Sequence, residues 1–403
     1  LRGGRGTAGR ERHRVRQLLI VGQMALALVL LVSAGLMLRS VAHLHAVDPG
    51  LRADGALAVG VSLGELRDRE RTIVLYHRVL DEVAALPGAV SAGATNNLPI
   101  VLSASNGGSF AIESRPRGDD ELPPISMWSA VTDGYFETLG IPRIDGRAPV
   151  RADAEGGRPV VWVNETFSRR FLDGRAVGER IRFGEDTVWA EIVGVVGDVR
   201  EFGLNEEVRP AAYLPLSTMR PVQLDLMQLV IRTDGEPTAL MPAIRAAVTR
   251  VDPSVPLTTL RTMDEVVASS LARTSFTVLL LGIAASVALV LGVVGLYGVI
   301  STIVSQRTAE IGIRIALGAQ PAAVRALVLR EGLGIGIAGV LIGLVAAAAV
   351  TRVLASLLFE VSARDPLTFV TVAVVLTTVS VVATYVPARR AMRMDPIAAL
   401  RTE

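Results

Sequence analysis

The sequence predicts an α-helical membrane protein with four transmembrane helices and a large α+β domain between the first two helices. Four apolar stretches of 22, 33, 20 and 23 residues carry no charge, and about 20 apolar residues suffice to cross a hydrocarbon core of about 30 Å. More than 230 residues of ordinary soluble composition separate the first two stretches. The charged residues that bound the stretches are, in pairs, Arg16 and Arg39, Arg273 and Arg307, Glu331 and Arg352, and Asp365 and Arg389.

The net charge of +2 hides two regions of opposite sign. Residues 41–272 contain 23 Arg and 32 Asp or Glu, a balance of −9, whereas the rest of the chain contains 18 Arg and 7 acidic residues, a balance of +11. The arginines outside residues 41–272 lie mostly in three short segments beside the apolar stretches. Because short loops rich in Arg remain cytoplasmic, we expect both termini inside the cell and the acidic domain outside.

The charge pattern and the apolar stretches together divide the chain into nine segments. A cleaved signal peptide is an alternative interpretation of the first stretch, but that stretch is too long for the apolar region of a signal peptide. The predicted segments are a basic cytoplasmic segment (1–17), transmembrane helix one (18–39), the extracytoplasmic α+β domain (40–272), helix two (273–305), a cytoplasmic helix and connector (306–331), helix three (332–350), a short outer loop (351–367), helix four (368–387) and a cytoplasmic tail (388–403).

The outer domain is predicted to alternate strands and helices. Apolar runs predict strands at 56–63, 89–95, 160–164, 189–199 and 225–233, and apolar residues at helical spacing predict helices at 67–86, 165–172 and 237–251. We expect two subdomains, with a loop-rich middle at 96–126, where Gly, Ser, Asn and Pro cluster. The last outer segment, 262–272, has an acidic first turn and no helix breaker, so we expect one helix to continue from it through the second span.

Small residues recur in the second and third spans. In membrane helices, small residues at four-residue spacing allow neighbouring backbones to approach closely. We therefore predict contacts between spans, or between two copies of the subunit, at these glycines. The predicted packing glycines are Gly292 and Gly295 in the second span and Gly332, Gly336, Gly339 and Gly343 in the third.

The segment between the second and third spans is the most specific motif of the chain. It is predicted to be helical, and it places Arg307, Glu310 and Arg314 at three- and four-residue spacing. Glu310 and Arg314 form an i,i+4 pair in the favourable orientation, worth a few tenths of a kcal/mol on an exposed helix. A solvated connector is one interpretation of this segment, and a helix that docks on a cytoplasmic partner is the other.

Composition excludes several classes of site. Cysteine is absent, so the sequence contains no thiolate metal ligand or cysteine nucleophile, and no metal site is predicted. All 41 basic residues are Arg, so no Walker phosphate loop can be formed, because that loop requires Lys. Ser62 lies in a G-x-S-x-G pattern, but no His follows residue 77, as a hydrolase triad of that order requires. We therefore predict no catalytic residue. An Arg-Gly-rich N-terminus suits anionic lipid headgroups better than nucleic acid.

Several motifs make the sequence similar to the FtsX/MacB-like family of ABC transporter permeases. The strongest is QRTAEIGIRIALGA at 306–319, supported by LPGAV at 86–90, YFETLGIP at 135–142, VVWVNETF at 160–167 and EIVGVVGDVR at 191–200. The order of one span, a large outer domain and three spans also resembles this family. The resemblance covers nearly the whole chain. It is closest to duplicated permeases in which two such modules occupy one polypeptide.

The resemblance implies a fold, partners and a site. The outer domain would be a MacB-like periplasmic core domain, and the protein would lie in the inner (plasma) membrane of a bacterium. ATP and Mg would be bound by a separate cytoplasmic ABC ATPase, with no cofactor in this chain. A second permease module, either in a homodimer or as the other half of a duplicated chain, would complete the assembly. The residues implied to contact the ATPase are Arg307, Glu310, Ile311, Gly312, Arg314, Ala316, Leu317, Gly318 and Ala319.

Two functions are compatible with this family. The first is a permease subunit that couples ATP hydrolysis by its partner to movement of the outer domain, for export or efflux. The second is an FtsX-like regulator or sensor that controls an extracytoplasmic protein such as a cell-wall hydrolase. A membrane-anchored enzyme is a third class, which the absence of Cys, of Lys and of any late His argues against.

Overall fold

The computed structural model describes residues 5–62, 69–101, 107–116, 118, 120–154, 158–184, 186–216, 226–306, 321–355 and 358–391. The chain divides into two compact units. The membrane unit comprises Leu1–Ala46 and Arg273–Glu403, and the α+β unit comprises Val47–Ala272.

The helices are α1 (Arg5–Ala46), α2 (Arg69–Ala84), α3 (Tyr135–Thr138), α4 (Arg151–Ala154), α5 (Glu165–Leu172), α6 (Met241–Val251), α7 (Met263–Gln306), α8 (Pro321–Leu354) and α9 (Pro366–Ala391). The strands are β1 (Ala56–Ser62), β2 (Ala89–Thr95), β3 (Gly107–Ile112), β4 (Ile125–Val131), β5 (Arg143–Gly146), β6 (Val160–Asn164), β7 (Arg180–Phe183), β8 (Ala190–Val196), β9 (Ala211–Pro215), β10 (Leu226–Thr233) and β11 (Leu257–Thr262).

Four helices of the described residues are long and apolar enough to cross a membrane. These candidate spans are Val15–Ala46, Thr274–Gln306, Ala326–Leu354 and Pro366–Arg389. At about 1.5 Å per residue, even the 24 residues of the shortest span extend about 36 Å, which exceeds a hydrocarbon core of about 30 Å. The core of the membrane unit is built along α1, where Met24, Leu28, Val32 and Leu36 recur every fourth residue and are buried.

One part of the α+β unit is a sheet with helices packed on both faces. Its strands lie in the order β11, β1, β10 and β2, and neighbouring strands are antiparallel. Side chains of β1 alternate between the two faces, as the strand period of two requires. Leu57 and Val59 pack with α2 and α6, whereas Ala56 and Ala58 join a second core with α3 and the start of α7.

A ring of strands forms the other part of the α+β unit. Strands β4, β3, β7, β8, β6 and β9 pair in this order, and β9 pairs back with β4 in parallel. Phe110, Val161, Phe167 and Ile192 are buried in the core of this ring. Strand β4 also pairs with β2 through Thr95 and Val131, and so joins the ring to the first sheet.

The predicted fold class is confirmed, because the chain has four long apolar helices and an α+β unit. The predicted continuation of 262–272 into the second span is also confirmed, because α7 is one helix from Met263 to Gln306. The region 96–126 was predicted to be loop-rich, and it contains strand β3 at Gly107–Ile112, which was not expected. Strands β4, β5, β7, β9 and β11 were not expected either. Helix α1 begins at Arg5, well before the predicted start of the first span at residue 18.

Candidate functional site

The predicted ATPase-coupling helix lies outside the described residues. Helix α7 ends at Gln306 and α8 begins at Pro321, and residues 307–320 between them are not described. The assignment of Arg307, Glu310, Arg314, Leu317 and their neighbours therefore stays a prediction.

Helix α8 lies against α1 through two of the predicted glycines. A Cβ placed on Gly339 would lie 2.6 Å from Cβ of Met24, and one placed on Gly343 would lie 2.9 Å from Cβ of Leu28. Real Cβ atoms do not approach one another so closely, so a larger residue at either position would push the two helices apart. Small residues are required here because the backbones are in near contact.

The opposite side of α8 lies against α9 through the other two glycines. A Cβ on Gly336 would lie 3.0 Å from Cβ of Ser380, and one on Gly332 would meet the side chain of Thr384. A Cβ on Gly334, by contrast, would meet no heavy atom within 4 Å. The glycines of α8 therefore mark two helix contacts, and Gly334 takes part in neither.

Helix α7 contacts α1 at the predicted glycines of the second span. A Cβ on Gly292 would lie 3.0 Å from Sδ of Met24, and one on Gly295 would lie 3.0 Å from Oε1 of Gln23. The far ends of flexible side chains are easier to move than backbone. Substitution at these two glycines should therefore be tolerated better than substitution at Gly339 or Gly343.

Charged and polar groups tie the end of α1 to the region before α9. Arg39 donates to the carboxylate of Asp365. That carboxylate also accepts from the backbone N–H of Thr368 at 2.9 Å and so caps the start of α9. The hydroxyl of Ser40 accepts from the N–H of Phe359 at 2.8 Å. Sequence reasoning used Arg39 and Asp365 only as the charged ends of apolar stretches and missed this contact.

Helix α7 begins with a capping box inside the α+β unit. The hydroxyl of Thr262 accepts from the N–H of Glu265 at 3.1 Å, and the carboxylate of Glu265 accepts from the N–H of Thr262 at 3.0 Å. Met263 and Val266 are fully buried beside Tyr135 and Leu139. The first turn of α7 is therefore anchored in the core of the α+β unit.

The linker between α1 and β1, residues 47–55, is held by backbone hydrogen bonds to three other segments. Pro49 O accepts from the N–H of Arg200 at 3.1 Å, and the N–H of Arg52 donates to Leu139 O at 2.7 Å. The N–H of Thr233 donates to Gly55 O at 2.8 Å. Gly50 has a φ of 77°, and a Cβ there would collide with the carbonyl of Asp198.

A carboxyl group with a raised pKa lies near this linker. Glu201 follows β8 and accepts a hydrogen bond from the hydroxyl of Tyr213 at 2.9 Å. Desolvation raises the pKa of Glu201 from its ordinary value of 4.5 to about 7, although the hydrogen bond from Tyr213 acts in the opposite direction. Burial, together with the charge of Glu201, also raises the pKa of Tyr135 and of Tyr213.

The patterns that resemble enzyme motifs lie within regular secondary structure. Ser62 is the last residue of β1 and pairs with Leu226 of β10. Gly334, Gly336 and Gly339, which fit a dinucleotide-binding pattern, lie inside α8. No group of three His, Asp or Glu side chains able to hold a metal ion occurs among the residues that the structure describes.

Two family models match the chain. Residues 19–251 match the MacB-like periplasmic core domain, and residues 282–396 match the FtsX-like permease C-terminal model. The first match alone spans more than half of the 403 residues. The resemblance that the sequence motifs indicated is thereby confirmed.

Curated relatives carry matching names. A macrolide export ATP-binding/permease protein MacB from Chromobacterium violaceum is 31% identical over 275 residues, which cover 67% of this chain and 42% of the relative. One from Rhodopseudomonas palustris is 30% identical over 301 residues, which cover 69% and 43% of the two chains. The chain thus spans less than half the length of these relatives.

Solved structures similar to this chain include the periplasmic region of MacB from Actinobacillus actinomycetemcomitans, with 14% identity and a TM-score of 0.37, covering 55% of this chain and 94% of that one. The extracellular domain of the ABC-type transporter YknZ from Gram-positive bacteria has 11% identity and a TM-score of 0.33, covering 50% and 100%. Likenesses of this size carry no argument about function. On the evidence of the two family models, the chain belongs to the FtsX/MacB-like family of ABC transporter permeases.

Proposed function

We propose that this chain is the permease subunit of an ABC-type transporter and moves its α+β unit when a separate ATPase binds and hydrolyses ATP. ATP and Mg would be bound by that ATPase, because these 403 residues contain no Lys and hence no Walker phosphate loop. The movement would drive export or efflux by mechanical transmission.

The observation that carries this proposal is the continuity of α7. The helix has 44 residues, which corresponds to a rod of about 66 Å. Its first turn is buried in the core of the α+β unit through Met263 and Val266, and its last residue, Gln306, directly precedes the predicted coupling helix. A push applied at residues 307–319 would therefore act on one end of an unbroken helix whose other end is anchored in the α+β unit.

The composition of the spans favours mechanical transmission over a channel. The four apolar stretches contain no charged side chain. Ionisable residues within a bilayer usually mark the path of a polar substrate or ion. The four apolar stretches therefore lack the ionisable residues that usually line a path for a hydrophilic cargo.

The proposed orientation places both termini and residues 306–331 in the cytoplasm and the α+β unit outside the inner membrane. The chain contains no Cys, so single cysteines introduced at Gln306 and Glu121 can be labelled without background. In cells whose outer membrane has been removed and whose inner membrane is intact, we expect a membrane-impermeant thiol reagent to label Glu121→Cys. We expect the same reagent to label Gln306→Cys only after the inner membrane is permeabilised. The reverse pattern would overturn the orientation and the mechanism with it.

The coupling segment is tested by crosslinking and by substitution. A cysteine placed at Leu317 should crosslink to a co-purified ATPase. A variant with Glu310→Ala, Arg314→Ala and Leu317→Asp should lose both the ATPase and export. Retention of the ATPase by this triple variant would contradict the assignment.

The matched control removes an ion pair from the α+β unit instead. Arg180 and Glu113 pair at 3.0 Å on exposed side chains, and Arg180→Ala with Glu113→Ala should leave ATPase binding unchanged.

Because the relatives are named for macrolide export, macrolides are the first compounds to test as cargo. Altered cell-wall lysis without transport would support the FtsX-like regulator in place of the exporter.

A further inference from the structure

One arginine of the α+β unit binds three main-chain carbonyl groups at once. Arg232 on β10 donates from Nε to Thr138 O at 2.7 Å, from Nη1 to Asp54 O at 2.8 Å and from Nη2 to Arg52 O at 2.8 Å. All three nitrogens of the guanidinium group are thus used on backbone oxygens. The planar guanidinium group holds its donors in a fixed fork, which suits several carbonyl oxygens at once. Hydrogen bonds from a charged donor are also stronger than hydrogen bonds from a neutral donor.

The three carbonyls belong to segments that are distant in sequence. Arg52 and Asp54 lie in the linker that follows α1, and Thr138 is the last residue of α3. All three hydrogen bonds of Arg232 end on backbone oxygens, whereas the side chains of Arg52 and Asp54 lie 3.9 Å from each other at the surface. The guanidinium group therefore fastens the linker and α3 together whatever the side chains of the linker do.

The strand that carries Arg232 is well placed to act as a fixed support. Strand β10 lies between β1 and β2, and Arg232 itself stands opposite Ala56 in β1 and Ser91 in β2. Thr138 is also tied to β2, because its hydroxyl donates to Oγ of Ser91 at 3.0 Å. The linker is thereby attached to the centre of the sheet and not to an edge.

We propose that Arg232 is a positioning residue that makes the connection between α1 and the α+β unit rigid, so that displacement of α1 reaches the sheet instead of being absorbed in residues 47–55. This inference rests on the proposed function, in which membrane helices move the α+β unit. Helix α7 enters the unit as continuous helix, whereas α1 ends at Ala46 and is followed by nine residues without regular structure before β1. Of the two connections, only the one from α1 needs such a clamp.

The clamp can be tested separately from folding. Arg52 and Asp54 are exposed, so water can hydrate their carbonyls when the guanidinium group is removed. Thr138 is fully buried, so its carbonyl loses the hydrogen bond from Arg232, and folding has to be measured in the same variants. Arg232→Gln removes the charge and the fork. Arg232→Lys keeps the charge and the apolar stem, but a single ammonium group cannot reach the three carbonyls in the same plane. The control is Arg245→Gln, which also removes one positive charge but lies at an exposed position of α6.

The test uses the full chain in lipid nanodiscs with spin labels on Ala42→Cys and Val90→Cys, both at exposed positions. We expect a narrow distance distribution in the otherwise unchanged chain and with Arg245→Gln. We expect loss of that narrow distribution with Arg232→Gln and also with Arg232→Lys. Narrow distributions in both Arg232 variants would overturn the proposal.

Folding and function are followed in the same samples. All three tryptophans, Trp128, Trp162 and Trp189, lie in the α+β unit, so their fluorescence reports whether that unit is folded. Unfolding of the unit in both Arg232 variants would also overturn the proposal, because Arg232 would then be required for the fold. With the ATPase bound, the Arg232 variants should keep nucleotide turnover and lose export. A distance between the Val90→Cys labels of two permease modules that does not change with ATP would count against the proposed function, while the nucleotide-free distance between Ala42→Cys and Val90→Cys still decides the role of Arg232.

Discussion

Replacing Glu201 by Gln should stabilise the α+β unit at alkaline pH and leave its stability nearly unchanged at acidic pH. The carboxyl group of Glu201 has a pKa of about 7 in the folded protein, against an ordinary value of 4.5. Below pH 4.5 the group is neutral in the folded and the unfolded chain alike. As the pH rises towards 7, the unfolded chain loses this proton before the folded chain does, so the folded state becomes less favourable.

The size of the effect follows from the two pKa values. Between 4.5 and about 7 the acid dissociation constant changes about 300-fold, which corresponds to about 3 kcal/mol of unfolding free energy at pH 8. This is an upper value, because the residue is only partly buried and water can relax around it. Gln is neutral at every pH and its amide oxygen can still accept from Tyr213, so Glu201→Gln should recover most of this loss.

The assay is urea unfolding of the full chain in detergent at pH 4 and pH 8, followed by tryptophan fluorescence. Because every tryptophan lies in the α+β unit, the membrane helices do not contribute to the signal. Glu207→Gln, at an exposed position of the same loop, is the control and should have little effect at either pH. A Glu201→Gln variant that is no more stable than the unsubstituted chain at pH 8 would refute the reasoning.

Three further predictions concern the helices. Gly343→Val should reduce the thermal stability of the membrane unit, because the valine side chain would meet α1, whereas Gly334→Val should have little effect. Differential scanning fluorimetry in detergent compares the two variants, and equal losses of stability would contradict the contact between Gly343 and α1. Thr262→Val should cost about 1 kcal/mol through loss of the N-cap, measured by tryptophan fluorescence in urea, and no change would argue against the capping box. A double-mutant cycle with Arg39→Gln and Asp365→Asn should give a coupling of about 1 kcal/mol or less, and additive effects would show that this contact does not stabilise the protein.

Several elements were predictable because a local pattern determines them. Strand β6 and helix α5 have their predicted bounds: Val160–Asn164 is fully buried, and the side chain of Asn164 caps α5 by accepting from the N–H of Phe167. The apolar spans were equally clear, since their length alone requires a membrane. The packing glycines were visible as small residues at regular spacing, although the sequence could not say which helix each one meets.

Other features depend on contacts between distant parts of the chain and leave no local pattern. Strand β3 begins with Gly107 and Gly108, which look like loop residues, yet Gly107 pairs with Met127 and Gly108 with Ser126 of β4. Strand β10 lies between β1 and β2, although it follows both by more than a hundred residues. Arg232 contacts carbonyls at sequence separations of 94, 178 and 180 residues. A backbone oxygen carries no side-chain signature, so no sequence motif could have indicated these bonds.

The central claim is that events at the cytoplasmic segment 307–319 move the α+β unit. The most direct measurement is the spin-label distance between the Val90→Cys positions of two permease modules in the complex with the ATPase, before and after addition of ATP. The account predicts an ATP-dependent change in this distance, which disappears in the variant with Glu310→Ala, Arg314→Ala and Leu317→Asp. An unchanged distance in the intact complex, or ATP hydrolysis by the purified 403-residue chain alone, would contradict it.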